Sequence, residues 1–228
     1  MVAAIRDMFI SSVSRGIEKP SVWLSWYQWK MTRLLCRYDA VWGAIRKVNL
    51  CGGGQKIPGY VSVDISPSAD MQIDLSRYDL PFMDDSLDVV VCISAINYFT
   101  RRRASEIVGQ VHRALKKGGV ARFAVQDLES IAKRYVEKDN PFFFQKLPDG
   151  TERFEGPTLG DKFVAWFYGY AIGSHRCQYF YDFDALAHLF TQAGFSNVKR
   201  RNYQESLIQD IALIDNRPDQ MFFLEAVK

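Results

Sequence analysis

The sequence predicts an α/β domain built on a doubly wound, mostly parallel sheet, and three observations carry that expectation. From Lys47 onward, short apolar runs alternate with helical patterns. A three-glycine turn, Gly52-Gly53-Gly54, follows the first of those runs, and an aspartate, Asp64, ends the second. Ligands of such sheets bind beyond the carboxyl ends of the strands, so the end of the first strand is where a site is expected.

Residues 48–50, 60–64, 88–93 and 120–125 read as strands, with 71–74 a weaker one. Between the last two strong strands Ala104, Ile107, Val108, Val111, Ala114 and Leu115 mark one face of a helix that stops at Gly118 and Gly119. A further helix follows, with Asp127 as its N-cap and Leu128, Ile131, Ala132, Tyr135 and Val136 on its buried stripe. Residues 140–174 break the pattern with prolines, glycines and a dense set of aromatics, and read as an insertion suited to lining or covering a pocket. A helix returns with Leu186, Leu189, Phe190 and Ala193 before Gly194, followed by strands near 197–202 and at 221–227.

Residues 1–46 form an N-terminal helical extension or cap in front of the domain at 47–228. Ile5, Met8, Phe9 and Val13 recur at helical spacing, and a second helix runs from Ser21 to about Arg46. Its Trp23, Trp26, Tyr27 and Trp29 stand beside Lys30 and Arg33, which suits packing over a cleft, with peripheral membrane contact as the alternative. Arg6 and Asp7 interrupt the apolar run a signal peptide needs, and charges break 22–42 well short of the roughly 20 apolar residues of a membrane span.

Of the 228 residues, 29 are Lys or Arg against 26 Asp or Glu, and no dense basic run appears, so a small-molecule partner is expected rather than nucleic acid. The four cysteines lack metal-ligand spacing, so no metal centre is expected and a reducing, cytoplasmic setting is.

The glycine turn and Asp64 constrain function together. Only a side-chain-free turn lets backbone N–H groups approach a ligand closely, and a carboxylate at the tip of the second strand can accept both hydroxyl protons of a ribose. The turn is followed by Gln55-Lys56-Ile57-Pro58 and lacks the Gly-x-Gly-x-x-Gly pattern, which disfavours NAD. Only residues 51–59 join the first two strands, shorter than an ordinary parallel crossover, so the residues alone leave a hairpin open.

The run Val48-Asn49-Leu50-Cys51-Gly52-Gly53-Gly54-Gln55-Lys56-Ile57-Pro58-Gly59-Tyr60-Val61-Ser62-Val63-Asp64 resembles the first motif of class I S-adenosylmethionine-dependent methyltransferases, in a compact bacterial subgroup whose first crossover helix is nearly lost. Asp74-Leu75 resembles the acidic end of that family's third strand. Leu80-Pro81-Phe82-Met83-Asp84-Asp85-Ser86-Leu87-Asp88 resembles the lead into the fourth, and Leu115-Lys116-Lys117-Gly118-Gly119 the turn before the fifth. More loosely, Val125 to Glu129, His175-Arg176, Tyr181-Asp182 and Ala193-Gly194-Phe195 are similar in order to methyltransferases of surface glycans or small metabolites.

The resemblance implies a seven-stranded Rossmann-like methyltransferase fold with parallel first strands, and S-adenosylmethionine as cofactor. It implies that Cys51, Gly52 and Gly53 lie beside the methionine portion, that Asp64 with Ile65 holds the ribose, that Asp74 and Leu75 approach the adenine, and that Asn97 and Tyr98 close the cleft near the sulfonium. Two departures stand out: Cys51 replaces the usual first glycine, and Ser94-Ala95-Ile96-Asn97-Tyr98-Phe99 stands where the subgroup often has His-x-x-Glu-His. The expected reaction is methyl transfer to a hydroxyl, less favourably a nitrogen, of a small metabolite or saccharide. The alternative is an inactive cofactor-binding module that regulates or scaffolds another enzyme. For a hydroxyl acceptor His175 is the candidate base, since an imidazole titrates near pH 6.5.

Overall fold

The computed structural model describes residues 45–168, 171–172 and 175–228. The two N-terminal helices expected within 1–46 lie outside the described residues, apart from Ile45 and Arg46.

Among the described residues nine strands are present: β1 (Lys47–Leu50), β2 (Val61–Asp64), β3 (Met71–Gln72), β4 (Leu87–Ile93), β5 (Leu115–Gln126), β6 (Ala171–Ile172), β7 (His175–Arg176), β8 (Ser196–Arg201) and β9 (Met221–Val227). The described α-helices are α1 (Arg101–Ala114), α2 (Leu128–Val136), α3 (Asn140–Phe143), α4 (Leu159–Tyr168) and α5 (Phe183–Gln192). Seven strands form one sheet in the order β3-β2-β1-β4-β5-β9-β8, and β6 pairs with β7 in a separate two-stranded sheet. Strands β1 to β5 are mutually parallel, while β9 runs antiparallel to both β5 and β8. The order reverses between β1 and β4, which opens a crevice at their carboxyl ends.

The pairing of β1 with β2 is parallel, with Val48 opposite Val61 and Leu50 opposite Val63, so the hairpin is excluded. The connection achieves this without a helix. It turns at Cys51 and Gly53, both left-handed, and again at Gly59, then buries Ile57 and Tyr60 against the sheet. There they meet Val91 of β4 and Ile208, Ile211 and Ile214 from the segment before β9. Two stretches of mostly irregular chain thus cover the sheet face where a longer crossover would place a helix.

The opposite face carries the helices. Thr100 caps α1 by accepting from Arg103 N, and the helix buries Ala104, Ile107, Val108, Val111 and Ala114 against Val90, Cys92 and Phe123. Leu186, Leu189 and Phe190 of α5 extend the same core. Alternation along β4 explains the division: Val90 and Cys92 face the helices, while Val89, Val91 and Ile93 face the irregular cover. Each fully buried Ile or Leu here contributes about 1.5–3 kcal/mol of transfer free energy.

Asp127 caps α2 as expected, its Oδ1 accepting from Glu129 N and Ser130 N. The insertion folds into a small core of its own, with Phe142, Phe143, Phe154 and Trp166 packed on Ile131 of α2. Its one buried amine, Lys162 Nζ, is held by Glu152 Oε2 at 2.5 Å and Phe154 O at 2.7 Å. Among the described residues no helix is long and apolar enough to cross a membrane.

Candidate active site

The crevice at the switch point is built by three strand ends. Cys51 N donates to Val63 O at 2.7 Å, carrying the β1–β2 ladder one residue past β1 before the chain bends. Cys51 itself adopts φ 55°, so the residue that replaces glycine takes a glycine-like conformation. Gly52 is fixed by a close approach: a Cβ there would lie 2.2 Å from Nδ2 of the buried Asn49. Gly53, at φ 61°, has open space where its Cβ would stand.

Asp64, buried at the end of β2, joins the two strand tips. Its Oδ2 accepts from Gly53 N at 2.9 Å and its Oδ1 from Ser66 N at 2.7 Å. A carboxylate offers about four lone-pair positions, so capacity remains for two further donors. After β3, Asp74 closes a tight turn by accepting from Ser76 N and Ser76 Oγ at 2.9 and 2.5 Å.

These elements enclose a cavity of about 580 Å³, lined by Cys51, Gly53, Asp64, Ile65, Asp74, Leu75 and Tyr98 among the residues singled out in the sequence. Gly52 and Asn97 do not line it. Asn97 is fully buried behind the wall, where its Nδ2 donates to Cys177 Sγ at 3.0 Å and its carbonyl accepts from Gln178 N and Tyr179 N. Gln178 Nε2 donates to Tyr98 O at 3.0 Å, so residues 177–179 clasp the turn that presents Tyr98. Gly54 of the glycine turn also lines the cavity, and sequence reasoning missed Ser66, Pro67, Ile73, Ser76, Ala95 and Phe99, which complete a partly apolar lining. His175 opens β7, its backbone pairing with Ile172.

The thiols here are protonated at neutral pH. Burial pushes Cys51 well above the ordinary thiol range, and Cys92, Asp64 and Asp74 push the same way. Burial, with Asp64 adding to it, raises Cys92 to about 12. Neither can serve as a thiolate nucleophile.

The lining fits S-adenosylmethionine. The left-handed Gly53 leaves backbone polar groups and open space at the turn, Asp64 keeps lone pairs for a diol, and Ile73, Leu75, Ala95 and Phe99 supply apolar surface for a flat ring. Two carboxylates in the lining suit a ligand that carries a sulfonium and an ammonium.

Residues 54–123 match the family described as "Methyltransferase domain". No curated protein matches the chain. Among solved structures, the chain is similar to an S-adenosylmethionine-dependent methyltransferase from Mesorhizobium loti, at 13% identity and TM-score 0.46, over 93% of this chain and 100% of that one. It is similar to an S-adenosylmethionine-dependent methyltransferase from Archaeoglobus fulgidus at 13% identity and TM-score 0.44, over 90% and 94% of the two chains. It is also similar to phosphoethanolamine N-methyltransferase 2 from Haemonchus contortus, at 14% identity and TM-score 0.46, over 89% of this chain and 52% of that one. Strand β2 and Asp64 fall within residues 54–123, the stretch that matches the methyltransferase domain family, and the parallel strand β1 with Gly53, tied to Asp64, leads directly into it.

Proposed function

We propose that the protein transfers the methyl group of S-adenosylmethionine to a hydroxyl of a small metabolite or saccharide, with nitrogen as the less favoured acceptor atom. The observation that carries the cofactor half of this reading is the hydrogen bond from Gly53 N to Asp64, which brings the turn and the carboxylate to one cavity. In this reading Cys51 and Gly53 flank the methionine portion, with Gly52 holding the turn's shape from behind. Asp64 accepts from the ribose hydroxyls beside Ile65, and Asp74 with Leu75 borders the adenine. Tyr98 closes the wall near the sulfur, and Asn97 fixes Tyr98 from below.

The cofactor supplies a methyl carbon already activated by a sulfonium. What remains for the protein is alignment and exclusion of water, because an in-line displacement is governed chiefly by the geometry of the reacting atoms. Phe99 and Ala95 exclude water from the Tyr98 side of the cavity. His175 is proposed as the group that takes the hydroxyl proton. It stands three residues before Gln178, whose main chain and side chain both bond the Asn97–Tyr98 turn.

Two measurements test this reading. Equilibrium titration should show S-adenosylmethionine and S-adenosylhomocysteine binding in the micromolar range, and no binding would overturn the cofactor assignment. Incubation with radiolabelled cofactor and a panel of alcohols, saccharides and amines should place label on a hydroxyl. Label found solely on nitrogen would overturn the acceptor assignment, and no transfer to any member would favour the regulatory module.

A further inference from the structure

A second cavity of about 720 Å³ lies on the insertion, between α2 and α4, and shares no lining residue with the cofactor crevice. Three aromatic rings form part of its wall: Tyr135 from α2, and Phe163 and Tyr168 from α4. Tyr135 and Phe163 stack with centroids 4.4 Å apart, yet Tyr135 stays 38% exposed and Tyr168 53% exposed. Phe142, Phe143 and Trp166 of the same region are buried, so the insertion has a finished core and still presents rings to its cavity.

Among the described residues the charged groups of this cavity are the carboxylates of Glu155 and Asp161 and the guanidinium of Arg176, two negative charges against one positive. Thr158 donates from both its Oγ1 and its main-chain N to Asp161 Oδ2, at 2.6 and 3.0 Å, and holds that carboxyl below the usual range. Asp161 is therefore ionised at neutral pH. Glu155 has no hydrogen bond or ion pair among the described residues. Lys162, next along α4, bonds Glu152 and Phe154 O and adds its charge in favour of ionised Asp161, which leaves Glu155 as the cavity's unpaired carboxylate among the described residues.

A concave site that combines exposed aromatic faces with an unpaired carboxylate is complementary to an organic cation, which gains from ring quadrupoles and from opposite charge together. We propose that the α2–α4 cavity is a binding site for a small organic ammonium ion, with Tyr135, Phe163 and Tyr168 as its walls and Glu155 as its counter-charge. This goes beyond the methyl-transfer reading and does not depend on which atom of any acceptor is methylated. A purely apolar cleft with the same rings would bind a neutral molecule of the same shape equally well, and that difference is what the experiment measures.

The probes are choline chloride and its uncharged carbon isostere, 3,3-dimethylbutan-1-ol, titrated into the full-length protein by calorimetry, with S-adenosylhomocysteine titrated into the same samples. Choline should saturate at millimolar or lower concentration and bind about 10-fold more tightly than the isostere. Glu155→Gln should weaken choline several-fold and leave the isostere unchanged, and Tyr168→Ala should weaken choline while S-adenosylhomocysteine affinity stays at the parent value. Equal affinity for the two probes, or no saturable choline binding, overturns the proposal. Choline binding without S-adenosylhomocysteine binding would count against the cofactor assignment alone, so the two failures are distinguishable.

Discussion

Gly53 N lies 2.9 Å from Asp64 Oδ2, and that single hydrogen bond ties the bend after β1 to the tip of β2. A hydrogen bond to a charged acceptor contributes about 1.5–3 kcal/mol. Asp64 therefore shapes the turn as well as offering lone pairs to a ligand. The two roles separate experimentally, because Asn preserves an acceptor oxygen and Ala preserves none.

Asp64→Ala is expected to lower S-adenosylhomocysteine affinity by roughly 30-fold or more, since the proposed charge-assisted pair with the ribose hydroxyls would be lost. It should also destabilise the fold by about 1–3 kcal/mol, because the N–H groups of Gly53 and Ser66 lose their acceptor. Asp64→Asn should recover part of the stability and little of the affinity. Calorimetric titration beside urea unfolding checks both, and unchanged affinity in the Ala variant would remove Asp64 from the proposed site.

Gly52 gives a sharper steric expectation. A Cβ at this position would lie 2.2 Å from Asn49 Nδ2 and 2.9 Å from its Cγ, and the Asn49 side chain is buried. Gly52→Ala should therefore cost about 1–3 kcal/mol as overpacking. Adding Asn49→Ala should return part of that loss, because the obstructing atoms are gone and the sites are coupled. Strictly additive unfolding free energies in the double variant would show that the clash relaxes elsewhere.

Much of the sheet was legible because its strands bury opposite faces unequally and announce themselves by apolar runs. The segment at 221–227 matches β9 residue for residue, and Asp127 is readable as a cap because its chemistry is local. The β1–β2 crossover was not legible from its residues. Ile57 and Tyr60 bury into Val91 and Ile211 from irregular chain, and burial without a period leaves no pattern to read. In the site, Asp64 could be found because it ends a strand, whereas Asp74, two residues past β3, came from the family resemblance. Ser66, Ala95 and Phe99 could not, since they reach the cavity through turns whose path depends on the folded sheet. Asn97 shows the converse: a polar residue at the right position whose side chain turns inward to Cys177.

Arg122 is the least sequence-evident feature of the fold, an arginine with no exposed side-chain surface inside β5 whose partner is 93 residues away. Its Nη2 and Nε donate to Asp215 at 2.6 and 3.2 Å, and its remaining donors reach Asn202 O and Glu205 O. Removing Asp215 leaves the buried Arg122 only a longer 3.9 Å pair with Glu225, so Asp215→Leu should destabilise by about 3–5 kcal/mol, whereas Arg122→Met with Asp215→Leu should recover part of it, since Glu225 keeps Arg201 at 3.3 Å. Urea unfolding of the single and double variants decides the point, and a loss under about 1 kcal/mol in the single variant would contradict burial of an ionised pair.

Asp70 couples the same crossover to pH. Burial favours its neutral form, but Lys56 Nζ at 2.6 Å and Ser62 N and Oγ at 2.8 and 2.7 Å outweigh that and hold the carboxyl below the usual range. A depressed folded-state value means that the unfolded chain takes up its proton first as pH falls. The stabilisation is then complete above the ordinary carboxylate pKa of about 3.9 and fades as pH drops through the lower folded value. Asp70→Asn should cost under about 1 kcal/mol at pH 7, since the pair with Lys56 is partly exposed and screened. The gap between parent and variant should close between pH 4 and the folded value, with the variant showing the shallower acid limb. Urea midpoints measured at pH 7, 4 and 3 check this, and a gap that widened on acidification would reverse the assigned sign.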